Sequence, residues 1–162
     1  MHQRGFTLVE LIVAIAVMGI LFTIGTISLT NSQVDARDKE RQSDIENLAR
    51  AIESYYTANN GSYPITTAMN TEASLIATLA GISSGSYRAP GATTGSSVIA
   101  ATNALATPAD VLDKPTTSQY SYQPIASDGT LCNVTTKECR SFSLFYREER
   151  TNTVVQYSGK NK

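Results

Sequence analysis

The sequence is poor in the residues from which most catalytic and metal centres are built. It holds one histidine, two cysteines and no tryptophan among 162 residues. The histidine is His2, at the extreme N-terminus, while Cys132 and Cys139 lie together near the other end. A zinc site takes three or four ligands, so a Cys/His centre is nearly excluded. An excess of charge is missing too. Thirteen lysines and arginines stand against 14 aspartates and glutamates, a formal net charge of −1. No global basic field argues for nucleic acid or an anionic surface. No glycine loop of the phosphate-cradling kind precedes a helix, and no catalytic-carboxylate motif stands out, so an enzyme is not expected. Asp110, Asp113 and Asp128 offer too few evident oxygen ligands for calcium, and no metal or cofactor is expected.

What the chain does have is apolar surface concentrated at one end. Leu11 to Leu29 carries no charge. As a helix, at about 1.5 Å per residue, that run is roughly 28 Å long, close to the hydrocarbon thickness of a bilayer. Its leucine, isoleucine, valine and phenylalanine side chains favour insertion by several kcal/mol in total, at about −0.3 to −0.6 kcal/mol each. Arg4 and the initiator amine hold the leading residues on the cytoplasmic side. A secretory signal peptide has a shorter apolar stretch and a small-residue cleavage site, and Ile24 to Leu29 offers no Ala-x-Ala pattern. A plain membrane anchor fits the length but leaves Glu10 unexplained. That carboxylate abuts the apolar run, with Phe6, Leu8 and Val9 on its other side. An acidic group at such a place is costly and points to a function.

These residues carry a resemblance. Gly5-Phe6-Thr7-Leu8-Val9-Glu10-Leu11, followed by the unbroken apolar run, resembles the cleavage motif of type IV prepilins and pseudopilins. The resemblance implies that a membrane aspartyl protease, the prepilin peptidase, cuts between Gly5 and Phe6. The same enzyme then methylates the new amine, making Phe6 an N-methylphenylalanine. Glu10 is implied as the residue that guides subunit assembly. Its physics supports that role: in a filament of bundled apolar helices the Phe6 amine is buried, and a neighbouring Glu10 neutralises it. Leaving one member of such a pair alone costs roughly 3–5 kcal/mol, so the pair sets axial register between subunits.

Gly19 and Gly25 interrupt the run, each lowering helix propensity by about 1 kcal/mol relative to alanine. Close helix packing explains them, and so does local unwinding between Gly19 and Ile27. Many type IVa pilins carry a helix-kinking proline there, whereas this chain has none before Pro64.

From Asn31 the chain turns polar. Ile45, Leu48, Ala49, Ile52, Tyr55 and Tyr56 recur at spacings of three and four, an amphipathic face, with Asp44, Glu46, Arg50 and Glu53 expected opposite. Asp35, Arg37, Asp38, Lys39, Glu40 and Arg41 read as solvated or as contacts to neighbours. Asn59-Asn60-Gly61 and Pro64 end the helix. The segment Tyr55-Tyr56 through Tyr63-Pro64 also resembles the end of the long helix in many pilins and pseudopilins. Phe6 to Ala58 is thus a helix about 80 Å long, too long for a globule of this size to hide.

The remainder reads as a head. A short helix is expected over Glu72 to Ala80, a surface loop over Gly81 to Pro108, and a helical turn within Pro108 to Pro115. Three antiparallel strands are expected at Tyr120–Gln123, Ser141–Tyr146 and Thr153–Tyr157. Cys132 and Cys139 are expected to pair in the loop between the first two, implying an oxidising compartment. Free thiols are the alternative.

The fold class is therefore α+β, and the resemblance implies the pilin ladle: a long N-terminal helix whose second half packs on a small antiparallel sheet. Residues 1–5 are the cleaved leader, 6–30 the transmembrane and polymerisation helix, and 31–162 the head with the amphipathic half of the helix. The partners implied are further copies of the chain, prepilin peptidase, the pilus assembly machinery and the inner membrane before assembly. The implied location is the cytoplasmic membrane for the precursor and then an extracellular pilus. The role is a pilus subunit serving adhesion, twitching motility or DNA uptake. A pseudopilin of type II secretion and a non-polymerising membrane-anchored binding domain are the alternatives.

Overall fold

The structure is a computed structural model that describes residues 6–104, 108 and 114–159, without the side chains of residues 25–28. The chain divides into two compact units, Met1–Ala36 and Arg37–Lys162. A single helix, α1 (Leu8–Ala58), contributes to both. It stops where the sequence predicts. Asn60 and Gly61 take left-handed backbone angles, φ 54° and 74°. The Gly61 N–H closes back on the Tyr56 carbonyl at 3.0 Å, a Schellman-type end. A side chain at Gly61 would be strained by that angle and would also press on Arg140 and Tyr56.

Next come a 3₁₀ turn (Thr66–Ala68), α2 (Glu72–Thr78) and α3 (Ser84–Tyr87). A capping box opens α2. Thr71 Oγ1 accepts from the Ser74 N–H at 3.1 Å, and Ser74 Oγ accepts from the Thr71 N–H at 3.2 Å. Four strands follow: β1 (Val98–Ala100), β2 (Tyr120–Ala126), β3 (Cys139–Arg147) and β4 (Val154–Ser158), in spatial order β1-β2-β3-β4. The three expected antiparallel strands are present. The fourth differs from expectation: β1 pairs parallel with β2, Val98 opposite Tyr120, so the sheet is mixed. The arrangement, a long N-terminal helix followed by a small sheet, is α+β and consistent with a pilin-like fold.

The reading of residues 81–108 as a surface loop is corrected here. That stretch holds α3 and β1, and it buries Tyr87, Ala89, Ser97, Val98 and Ala101. Small side chains let it lie close: the Ser97 N–H donates to the Tyr87 carbonyl at 2.8 Å, and Ser97 Oγ accepts from the Ala89 N–H at 2.9 Å. The helical turn expected within Pro108–Pro115 falls mostly outside the described residues.

The second unit is held by the apolar stripe of α1 against one face of the sheet. Ile45, Leu48, Ala49 and Ile52 are buried with Tyr63, Tyr120, Tyr122, Phe142 and Leu144. The buried tyrosines keep polar partners, as burial demands. Tyr120 donates to Asp44 Oδ2 at 2.6 Å, Tyr122 to the Pro64 carbonyl at 2.7 Å, and Tyr63 to Glu53 Oε2 at 2.9 Å. Pro124 sits inside β2 beyond the end of β1, whose pairing stops at Ala100 opposite Tyr122, so no β1 carbonyl calls for the missing N–H; its own carbonyl accepts from the Cys132 N–H at 3.0 Å.

Candidate assembly site and head lock

The N-terminal unit carries the residues that the sequence singles out for processing and assembly. Gly5 lies outside the described residues, as do His2 and Arg4. Phe6 is 89% exposed, and Leu8, Val9, Leu11, Ile12, Val13 and Ile15 are exposed beyond it. The exposure runs round the whole helix surface. A helix apolar on every side belongs inside lipid or inside a bundle of its own kind. Its most apolar window is long enough to cross a membrane, and none of that window is buried within the structure.

Glu10 is the only charge between Phe6 and Val34. Its geometry reveals a device that the sequence reading missed. Glu10 Oε2 accepts from the Thr7 N–H and from Thr7 Oγ1, both at 2.8 Å, while Thr7 Oγ1 accepts from the Glu10 N–H at 3.2 Å. This is a capping box in which threonine and glutamate, three positions apart, satisfy one another's donors. The Thr7-x-x-Glu10 pattern was the available signal. The carboxylate therefore has two uses. It stabilises the helix start, where the macrodipole favours negative charge. It also keeps Oε1 without a bond among the described residues, able to accept from a cation. Within the run, Gly19 sits in unbroken helix with open space around it. Thr23 Oγ1 donates to the Gly19 and Ile20 carbonyls at 3.1 and 2.7 Å, a threonine back-bond that weakens the local ladder.

The second unit begins in a charged lock. Asp38 accepts from two successive backbone N–H groups of the β3–β4 turn, Glu149 at 2.8 Å and Arg150 at 3.1 Å. Arg37 grips the Glu149 carboxylate through two nitrogens, at 2.9 and 2.5 Å. Arg41, 2% exposed in its side chain, donates to Asp38, to Glu149 and to the Thr117 carbonyl. The expectation that Arg37, Asp38 and Arg41 are solvated is thereby corrected, and so is the placing of Asp44 opposite the buried stripe. Asp44 is buried beside Tyr120. Their partners outside α1 lie at least 76 residues away in sequence, so the local spacing alone does not mark them as buried. Electrostatics separate the two acids. The Arg37 guanidinium, aided by Arg41, holds Glu149 down at about 2. Burial pushes Asp44 up from 3.8 to about 6, against the pull of the Tyr120 hydroxyl.

Cys132 and Cys139 are joined by a disulfide that bridges the connection from β2 to β3. The same loop receives the chain leaving α1: the Tyr63 N–H donates to the Cys139 carbonyl at 2.9 Å and the Thr66 N–H to the Cys132 carbonyl at 3.1 Å. Asp110 and Asp113 lie outside the described residues, and Asp128 is engaged by Thr130 and Lys137.

Residues 1–26 match the family described as the prokaryotic N-terminal methylation motif. That motif is the prepilin cleavage motif of type IV pilins and pseudopilins, and with it the chain carries the hallmark of structural subunits and not of an enzyme family. It implies processing by prepilin peptidase, and with the apolar helix it fits a membrane-anchored precursor. No curated protein and no solved structure matches the chain.

Proposed function

We propose that the chain is a structural subunit of a type IV pilus. Prepilin peptidase removes residues 1–5, Phe6 is methylated on its new amine, and the apolar helix then leaves the membrane to pack with copies of itself. In this reading 6–30 is the polymerisation segment and 31–162 the head, displayed on a surface fibre that serves adhesion, twitching motility or DNA uptake. One observation carries the reading: the stretch of α1 before Asp35, apolar on all sides, has a single carboxylate, and that carboxylate stands four positions from the proposed new terminus. Cutting after Gly5 places a cationic amine at a helix start, where the macrodipole opposes it. A carboxylate with an unused oxygen, presented by the next subunit, relieves that penalty.

The test is Glu10→Ala. Membrane insertion is expected to stay intact, because the substitution removes a charge from an apolar run. Filament yield is expected to fall about a hundredfold or more, from the roughly 3–5 kcal/mol of an unpartnered buried charge. Normal fibres from this variant would refute the role. A pseudopilin of a type II secretion system shares the same N-terminal chemistry. Electron microscopy of the cell surface separates the two readings by fibre length.

A further inference from the structure

The sheet has two edges, and only one is blunted. At the first, β1 is three residues long and its Val98 N–H is already taken by Ser96 Oγ at 3.0 Å. At the other, β4 is a five-residue strand, Val154-Val155-Gln156-Tyr157-Ser158, with no charge, proline or bulge. Those are the usual devices by which an edge is protected.

The pairing fixes which backbone groups of β4 are free. The Glu148 N–H donates to the Thr153 carbonyl at 2.9 Å, and the Gly159 N–H donates to the Phe142 carbonyl at 3.0 Å. Alternation along an antiparallel ladder then turns Val155 and Tyr157 toward Tyr146 and Leu144. Val154, Gln156 and Ser158 therefore direct their N–H and C=O groups away from β3. Among the described residues nothing receives them.

We propose that this edge is a self-association surface on which a second copy of the chain pairs its own β4 antiparallel, centred on Gln156. The strand suits its own image. With Gln156 opposite Gln156 of the second copy, Val154 of each strand faces Ser158 of the other. All three outward residues exchange bonds, about six in all. No like charges meet, because the strand has none. Gln156 Nε2 lies on the outer face, bonded to Ser143 Oγ at 3.0 Å, so the side chain does not obstruct the edge. The blunted β1 argues against head-to-tail extension of the sheet.

The symmetry has a consequence. A two-fold contact closes on itself and joins two subunits only, whereas a polar filament relates its neighbours without a two-fold axis. The contact thus belongs to heads that do not share a filament. Each pairing is weak alone and gains strength by repetition along two fibres. Pairing needs only the head, so it is testable whether or not filaments form.

The experiment uses the full chain at high concentration in detergent, with a short thiol-to-thiol cross-linker. The native cysteines are bonded to each other and stay out of the reaction. Gln156→Cys places the two thiols on residues about 5.5 Å apart at Cα, within bridging reach. Ser158→Cys places them about 15 Å apart in the same register. Cross-linked dimer from Gln156→Cys is expected to exceed that from Ser158→Cys by at least about tenfold. Equal yields, or no dimer from Gln156→Cys, would overturn the proposal. Gln156→Pro removes an outward N–H that bonds to nothing among the described residues. It is expected to disperse laterally associated fibres while the melting temperature holds, and fibres that stay bundled would count against the contact.

Discussion

Leu11 and Leu48 belong to one helix, yet the first is 61% exposed and the second fully buried. The residue type is the same, so the difference lies in what each has to face. Around Leu48 the chain supplies its own cover, in Tyr63, Tyr122, Leu144 and their neighbours. Around Leu11 the described residues supply none. The described residues from 37 onward solve their burial problem among themselves, and those from 6 to 36 leave it unsolved; in the function proposed above, lipid and then other copies supply that cover. The two regions also treat charge differently. Glu10 is alone in its stretch, whereas Arg37, Asp38, Arg41 and Glu149 neutralise one another within hydrogen-bond distance.

The sharpest way to break the comparison is to make the same substitution on both sides of it. Leu48→Ala is expected to cost about 2–5 kcal/mol of unfolding stability, the usual price of emptying a buried leucine site. Leu11→Ala is expected to leave unfolding of the head within about 0.5 kcal/mol of the parent. Denaturant titration of the full chain in detergent, followed by tyrosine fluorescence, reads both. Comparable losses at the two positions would mean that the N-terminal stretch does find cover within its own chain.

A smaller effect is expected from the disulfide, which acts only within the second region. Replacing Cys132 and Cys139 together by serine is expected to lower stability by roughly 2–3 kcal/mol, from loop closure in the unfolded chain. Because the bonded loop receives Tyr63 and Thr66, faster amide exchange is expected over residues 62–66, with residues 8–30 unaffected. Hydrogen exchange by mass spectrometry checks both halves of that statement.

The smallest effect is in the pH profile of the head. The folded state takes up a proton on Asp44 below about 6, while the unfolded chain does so only near 3.8. Stability therefore rises as pH falls through that window. Glu149 acts with the opposite sign: its carboxylate is held at about 2 against an ordinary 4.5, so its contribution is complete above 4.5 and is lost as pH falls toward 2. A mildly acidic optimum follows. Asp44→Asn is expected to flatten the upper limb and leave the lower one, as thermal melts between about pH 3 and 8 would show.

How much of this was legible beforehand depends on the range of each interaction. The helix and its end are local matters, carried by three- and four-residue spacings and by Asn60-Gly61, and they were readable. So were the three antiparallel strands. β1 was not, because Val98–Ala100 becomes a strand only by meeting Tyr120–Tyr122 across a long connection. The burial of Arg41 and Asp44 was hidden for the same reason: Thr117, Tyr120 and Glu149 are what make a charged residue tolerable there. Thr7 and Glu10 are a different case. Their capping box is local, written in the three-residue spacing of Thr7 and Glu10, and it gives the carboxylate a role within its own helix beside any role between subunits.

Processing and assembly of the first region can be read together by mass spectrometry of the N-terminal peptide from sheared surface fibres. Fibres whose subunits begin at Phe6 with a methylated amine are expected. Subunits still beginning at Met1 would contradict the proposed processing.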